Sequence, residues 1–305
     1  MLGRRFVFLG RQISSRFASN SAFQPKATTL SEFETLKVIP DGNVYEVQLN
    51  MPESRNALNP AAWRELTECF GQLNLIPNCR VVVFSGNGKS FCAGIDLKTA
   101  FTKIMEVTGD ASLDTARKAV NMTEMIRGAQ ASFTAMENCR KPIICAVHGH
   151  CYGAATSLIT AADIRFCTAD SQMSIKEVDV GLAADVGVLQ RIQRVTGNDS
   201  LTRELVFTAR SFNGMQAKEF GLVSRIFDKK DDMILAAKEL AKEIAKKSPV
   251  AVQGSKIMMN YARNHSTTDS LEAMVLWNAS MLQTEDLMTN ALAMQSKKTP
   301  EFKDF

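Results

Sequence analysis

The sequence predicts an α/β fold in which strands and helices alternate through the first two thirds of the chain, followed by a carboxyl-terminal third that is almost wholly helical. Two observations carry this reading. Short β-branched runs recur at residues 80–85 (RVVVFS), 142–147 (PIICAV) and 164–168 (IRFCT), each after a segment that reads as helical, which is the pattern of crossover connections. Beyond residue 195, by contrast, helical spacing dominates and strand signals nearly vanish.

Taken in order, residues 44–49 alternate, with Tyr45, Val47 and Leu49 on one face and Glu46 and Gln48 on the other, so a half-buried strand is expected. Asn59-Pro60 opens a helix, with asparagine as its cap and proline in the first turn, and Trp63, Leu66, Phe70 and Leu73 follow at helical spacing. The runs at 80–85, 142–147 and 164–168 are expected as buried strands. Helices are then expected over 200–208, 214–220, 232–245, 249–263 and 270–282. In the third of these, Ile234, Leu235, Leu240, Ile244 and Ala245 form the face expected to pack on the core.

With 305 residues, 45% hydrophobic and 22% charged, the chain has enough apolar material for a sizeable core, which excludes a disordered tail protein. A formal charge of +4 is mild, and Arg4, Arg5, Arg11 and Arg16 account for much of it, so no nucleic-acid partner is expected. The lysines at 229, 230, 238, 242, 246 and 247 are interleaved with acids and read as a solvated surface. Seven scattered cysteines without a CxxC pair indicate a reducing compartment. Residues 142–162 carry no Asp, Glu, Lys or Arg, yet His148, His150, Thr156, Ser157 and Thr160 interrupt them, so no membrane span is expected.

The amino terminus is a separate object. Residues 1–24 are rich in arginine and serine, and no acid occurs before Glu32, the composition of a mitochondrial transit peptide. The expected organisation is therefore a transit segment at 1–30, a core at 31–225 and a helical region at 226–305, with the mature protein in the mitochondrial matrix.

Three segments could carry chemistry. Residues 85–96 (SGNGKSFCAGID) leave a strand and place three glycines before a helical start, where backbone amides can face an anion; a plain structural turn is the alternative. Residues 147–155 (VHGHCYGAA) repeat the strand, small-residue turn and helix. Two such turns could each give one N–H to the same oxygen, forming an oxyanion hole. Cys145, His148, His150 and Cys151 also lie here, but strand alternation sends them to different faces, so no metal site is expected. In residues 174–190, Glu177 and Asp185 sit among small and apolar residues, where burial raises carboxyl pKa values and suits them to carry protons. For Asp185, N-capping of the run that follows fits equally.

Read together, these segments resemble the crotonase, or enoyl-CoA hydratase/isomerase, superfamily. The markers are MPESRNALN (51–59), FCAGIDL (91–97), GHCYGAATSL (149–158), AADIRF (161–166) and the segment around Glu177. Further, KEVDVGLAADVGVLQR (176–191), KSPVAVQGSK (247–256) and WNASMLQTED (277–286) are similar to the dienoyl-CoA isomerase branch. The resemblance implies a core of repeated ββα units, an acyl-CoA substrate, and no cofactor beyond the CoA of the substrate itself. It implies the amides of Ile95 and Ala154 as oxyanion donors, and Arg55, Ala57, Ala93, Gly94, Ile95, Asp96, Leu97 and Gly153 as CoA or substrate contacts. It implies Glu177 and Asp185 as the catalytic acids, and a homo-oligomer, trimer or hexamer. The implied reaction moves the double bonds of a 3,5-dienoyl-CoA to the 2,4 positions in fatty acid β-oxidation. A 3-enoyl to 2-enoyl isomerase and an RNA-binding homologue remain alternatives within the superfamily. One departure stands out: where the dienoyl isomerases resemble one another in a third buried acid, this chain has Ser157, and where relatives usually show three glycines it has Gly153-Ala154-Ala155.

Overall fold

The computed structural model describes residues 30–305. The expected transit segment therefore lies, but for its last residue, outside the described residues. In chain order the strands and helices are β1 (Leu36–Asp41), β2 (Val44–Leu49), α1 (Pro60–Leu75), β3 (Val81–Gly86), α2 (Leu97–Gly109), α3 (Thr115–Asn138), β4 (Ile143–Val147), β5 (His150–Tyr152), α4 (Ala154–Thr160), β6 (Ile164–Thr168) and β7 (Gln172–Ser174). They continue with α5 (Val188–Thr196), α6 (Asp199–Thr208), β8 (Phe212–Asn213), α7 (Gly214–Glu219), β9 (Arg225–Phe227), α8 (Lys230–Ala245), α9 (Pro249–Ala262), α10 (Thr267–Met281) and α11 (Glu285–Ser296).

The main sheet runs β1-β2-β3-β4-β6-β9, with β1 antiparallel to β2 and every later pair parallel. A second sheet, β5-β7-β8, pairs β5 with β7 in parallel and β7 with β8 antiparallel. Helix starts follow side-chain chemistry: Asn59 accepts from the N–H of Ala62 at 2.9 Å with Pro60 in the first turn, and Asp96 caps α2 through the N–H of Thr99 at 2.8 Å.

One face of the main sheet packs on Leu66, Phe70 and Leu73 of α1 and on Phe133 and Met136 of α3. The other is covered by α8, whose Met233, Ala237, Ala241 and Ala245 lie against Val44, Val81, Val83, Ile144 and Phe166. This corrects two sequence expectations. Strand β2 is buried on both faces rather than one, because α8 arrives from far along the chain. Glu46, on the face expected to be polar, is 5% exposed and is compensated by Lys238 Nζ at 2.6 Å and Gln48 Nε2 at 2.7 Å. The buried face of α8 is centred on smaller residues than expected: Met233, Ala237, Ala241 and Ala245 are buried, and Ile234, Leu240 and Ile244 of the expected face pack beside them half-buried. Leu235 alone of that face turns outward at 59% exposed, since alanines let the helix approach the sheet closely.

The carboxyl-terminal third is helical as expected, with α11 in addition to the five expected helices. Strands β8 and β9 are too short to leave a periodic signal, and β9 joins the main sheet across position 225.

Candidate active site

Each of the two small-residue turns leaves the main sheet at the end of a strand, β3 or β4, and they run side by side. The N–H of Phe91 donates to the carbonyl of His148 (2.7 Å), that of Cys92 to His150 (3.0 Å), and that of Tyr152 to Cys92 (3.3 Å). Cys92 thus lies opposite Cys151 as a parallel bridge. Two residues further on, each chain turns at a glycine with positive φ, Gly94 at +102° and Gly153 at +54°. The next amides, those of Ile95 and Ala154, donate no hydrogen bond to any described residue.

The free state of the Ile95 amide has a local cause. Leu58 donates its N–H to Gly94 O (2.8 Å) and accepts from the N–H of Asp96 (3.0 Å), so the residues on either side of Ile95 are bound while its own N–H points away. Asn56 fixes this clamp. Fully buried, its Oδ1 accepts from Met51 N–H (2.8 Å) and its Nδ2 donates to the carbonyls of Asn87 (2.9 Å), Ser90 (2.9 Å) and Phe91 (3.1 Å). The second amide is free because Ala154 is the first residue of α4. Only Gly153, at φ 54° and ψ −119°, needs to be glycine; Ala154 and Ala155 are already helical, so the Gly-Ala-Ala sequence supports the turn.

A cavity of about 280 Å³ opens against these amides. Of the residues singled out from sequence, Ala93, Gly94, Ile95, Leu97, Gly153, Ala154, Glu177 and Asp185 line it. Glu177 begins a single 3₁₀ turn, Glu177–Val180, and its Oε1 lies 3.7 Å from where a Cβ on Gly153 would stand. Its Oε2 is buried without a hydrogen-bond partner. Burial holds the Glu177 carboxyl above the usual glutamate range, and the Asp185 charge adds to the shift. Asp185 lines the same cavity and is also raised by desolvation, although the residue is exposed and solvent limits that shift. The capping alternative for Asp185 is not realised: α5 starts at Val188, its cap is Gly187 at φ +118°, and no side chain caps it.

Four of the expected residues do not line the cavity. Arg55 is exposed and reaches the site through its carbonyl, which accepts from Ala93 N–H at 2.9 Å. Ala57 sits beside it in the same segment. The carboxylate of Asp96 is engaged by Thr99 as the α2 cap, which lowers its pKa. Ser157 is fully buried inside α4 with its Oγ unpartnered. Reading motifs missed the apolar walls, Tyr152, Val180, Leu182 and Val186, because hydrophobic residues next to the acids carry no signal distinct from core. Burial pushes the Cys145 and Cys151 thiols up and holds His148 down at about 4, so at neutral pH these groups are protonated thiols and a neutral imidazole.

A family model described as enoyl-CoA hydratase/isomerase matches residues 40–304. The chain belongs to the enoyl-CoA hydratase/isomerase family. Within this family it is 47% identical to the mitochondrial Δ(3,5)-Δ(2,4)-dienoyl-CoA isomerase of Mus musculus, over 94% of this chain and 88% of the relative. It is 37% identical to the peroxisomal Δ(3,5)-Δ(2,4)-dienoyl-CoA isomerase of Arabidopsis thaliana, over 90% of this chain and 99% of the relative. Its structure superposes on an enoyl-CoA hydratase of Bacillus anthracis with a TM-score of 0.78 at 25% identity, over 88% of this chain and 99% of that one. The α/β architecture with a helical carboxyl-terminal region is thus that of the enoyl-CoA hydratase/isomerase fold.

Proposed function

We propose that the chain is a Δ(3,5)-Δ(2,4)-dienoyl-CoA isomerase. The observation that carries this reading is the pairing of two carboxyls of raised pKa, Glu177 and Asp185, in one cavity with two unoccupied backbone amides. The identity to dienoyl-CoA isomerases of animals and plants supports it.

In the reaction, an ionised Glu177 takes a proton from carbon 2 of the 3,5-dienoyl thioester. The electron pair spreads along the chain to the thioester oxygen, which the Ile95 and Ala154 amides hold, each donor being worth roughly 2.7–4 kcal/mol in the transition state. A protonated Asp185 then delivers a proton to carbon 6, and the double bonds settle at positions 2 and 4. Raised pKa values suit both carboxyls to carry protons, since a weaker acid keeps its proton to higher pH and is the better base once ionised. The assignment of ends follows the family resemblance. No cofactor takes part in these steps, and CoA enters with the substrate. The test is ultraviolet monitoring of the purified protein with a 3,5-dienoyl-CoA, in which the conjugated 2,4-dienoyl product is expected to accumulate. Turnover of 3-enoyl-CoA but not of 3,5-dienoyl-CoA would overturn the reading.

Ser157 separates this chain from a hydratase. Hydration of a 2-enoyl-CoA requires a water polarised between two carboxyls, and a serine hydroxyl without a partner base cannot take its proton. With crotonyl-CoA the wild type is expected to hydrate only feebly; robust hydration would refute the argument. Ser157 does not line the cavity, but if its side chain sits close to Glu177 an acid there would raise the Glu177 pKa by like-charge repulsion, and Ser157→Asp is then expected to move the acidic limb of isomerase turnover to higher pH. An unmoved limb would place residue 157 away from the base.

The mitochondrial matrix is the proposed location, supported by the arginine-rich start and the mitochondrial mouse relative, although the Arabidopsis relative is peroxisomal. Self-assembly is supported by α10, which buries no residue and exposes Leu271, Val275 and Leu276, and the number of subunits, three or six, follows the family resemblance. Native mass spectrometry of protein from a mitochondrial fraction reads both: chains trimmed by roughly 15–35 residues, as expected for a removed transit segment, in multiples of three. Untrimmed chains in a peroxisomal fraction, or a monomer, would contradict the respective proposal.

A further inference from the structure

Behind the wall of the candidate acyl pocket lies a second cavity of about 390 Å³ with different chemistry. Arg191, Arg194 and Arg263 line it against a single carboxylate, Glu137. Arg191 donates through Nε and Nη2 to Glu137 Oε2 (2.9 and 2.7 Å), and Arg263 Nη1 donates to Oε1 (2.8 Å). Arg194 Nη1 meets only a neutral partner among the described residues, Asn264 Oδ1 at 2.9 Å. The cavity therefore carries excess positive charge, and with the Arg191 and Glu137 side chains 14% and 19% exposed, solvent screens it incompletely. Guanidinium N–H groups remain free after these bonds are counted, in the planar fork that fits a carboxylate's two oxygens.

Two contacts join this cavity to the acyl pocket. Val186 lines both, and Gln130, from the second cavity, donates Nε2 to the carbonyl of Asp185 at 2.6 Å. Asp185 and Val186 line the acyl pocket side by side, so with Asp185 assigned to carbon 6, acyl carbons beyond it would meet the shared Val186 wall. We propose that the arginine cavity binds a carboxylate, supplied by the far end of an acyl chain held in the adjoining pocket or by a free dicarboxylic acid. The first source rests on the acyl-CoA reading of that pocket; the second does not.

The test compares the wild type with Arg194→Gln, a change at an exposed residue that leaves the Glu137 ion pairs intact. Two measurements are made: kcat/KM for matched 3,5-dienoyl-CoAs ending in a methyl or a carboxylate, and calorimetric binding of adipate. Removing one charge-assisted donor is expected to lower the carboxylate-to-methyl ratio of kcat/KM about tenfold if the acyl tail is the source. If the free acid is the source, adipate binds the wild type and binds the variant about tenfold more weakly, with the ratio unchanged. The proposal is overturned if neither the ratio nor adipate binding depends on Arg194. Failure of the methyl-ended substrate to turn over at all would count against the isomerase reading instead, and adipate binding would still read the cavity.

Discussion

Glu177→Gln is expected to lower turnover of 3,5-dienoyl-CoA by about 10²–10⁴-fold, the usual scale for loss of a general acid or base, without loss of folding. The stability side has a definite sign. Burial raises the Glu177 pKa in the folded protein above its unfolded value, so the folded state binds the proton more tightly than the unfolded state. Its contribution to stability is fully present below the unfolded glutamate pKa and is lost as pH rises through the raised folded value. Above that raised value the wild type therefore carries the cost of an ionised, half-buried carboxylate with an unpartnered oxygen, and the glutamine variant does not. Glu177→Gln should melt at or above the wild-type temperature there, and the difference should shrink as pH falls through the raised folded pKa. Asp185→Asn should behave alike in turnover, and because no helix cap depends on it, its melting should not drop. Either variant turning over dienoyl-CoA at the wild-type rate while folded would end the two-carboxylate mechanism.

The contrast between Asp185 as cap and Asp185 as acid shows where the sequence stops speaking. Helical periodicity locates the run that follows but cannot place its first turn within two residues, and here two residues decide the matter: the helix starts at Val188 behind Gly187, leaving Asp185 free. The strands at 80–85, 142–147 and 164–168 were legible because a sheet covered on both faces selects unbroken apolar, β-branched runs. Strand β2 misled for a related reason. Its alternation reported local chemistry, while the burial of Glu46 depends on Lys238, distant in sequence and brought in by α8. The α8 face was legible at Ile234, Leu240, Ile244 and Ala245, but not at Leu235, because close packing on a sheet centres the contact on the alanines.

At the site, the two turns could be read singly from their glycines, but their convergence could not. It depends on the register of Cys92 against Cys151, and on Asn56, which in sequence is one polar residue in a loop. The charged partners of the second cavity come from α3, α5 and the end of α9, so no local pattern announces them.

Gly94→Ala is expected to lower kcat and kcat/KM together by about 10²–10³-fold, the cost of displacing one oxyanion donor. A Cβ at position 94 would stand 2.7 Å from the carbonyl oxygen of Tyr152 and 3.9 Å from the amide nitrogen of Ala154, and φ of +102° is a conformation that alanine resists. The neighbour in the way is backbone, held in register by the Cys92–Cys151 bridge, so it cannot rotate aside as a side chain would. Strain must therefore be relieved by moving the 93–95 segment, and the Ile95 amide moves with it. Binding of the CoA portion does not depend on charge at the thioester oxygen, so KM should change far less than kcat. The control is Gly42→Ala, in the β1–β2 turn: it has the same kind of positive φ, +61°, but nothing within 4 Å of the new Cβ. It should lose stability, by roughly 1 kcal/mol or more, while keeping its turnover. If folded Gly94→Ala keeps wild-type kcat, the Ile95 amide does not hold the thioester oxygen, and the proton transfer must be stabilised from elsewhere in the cavity.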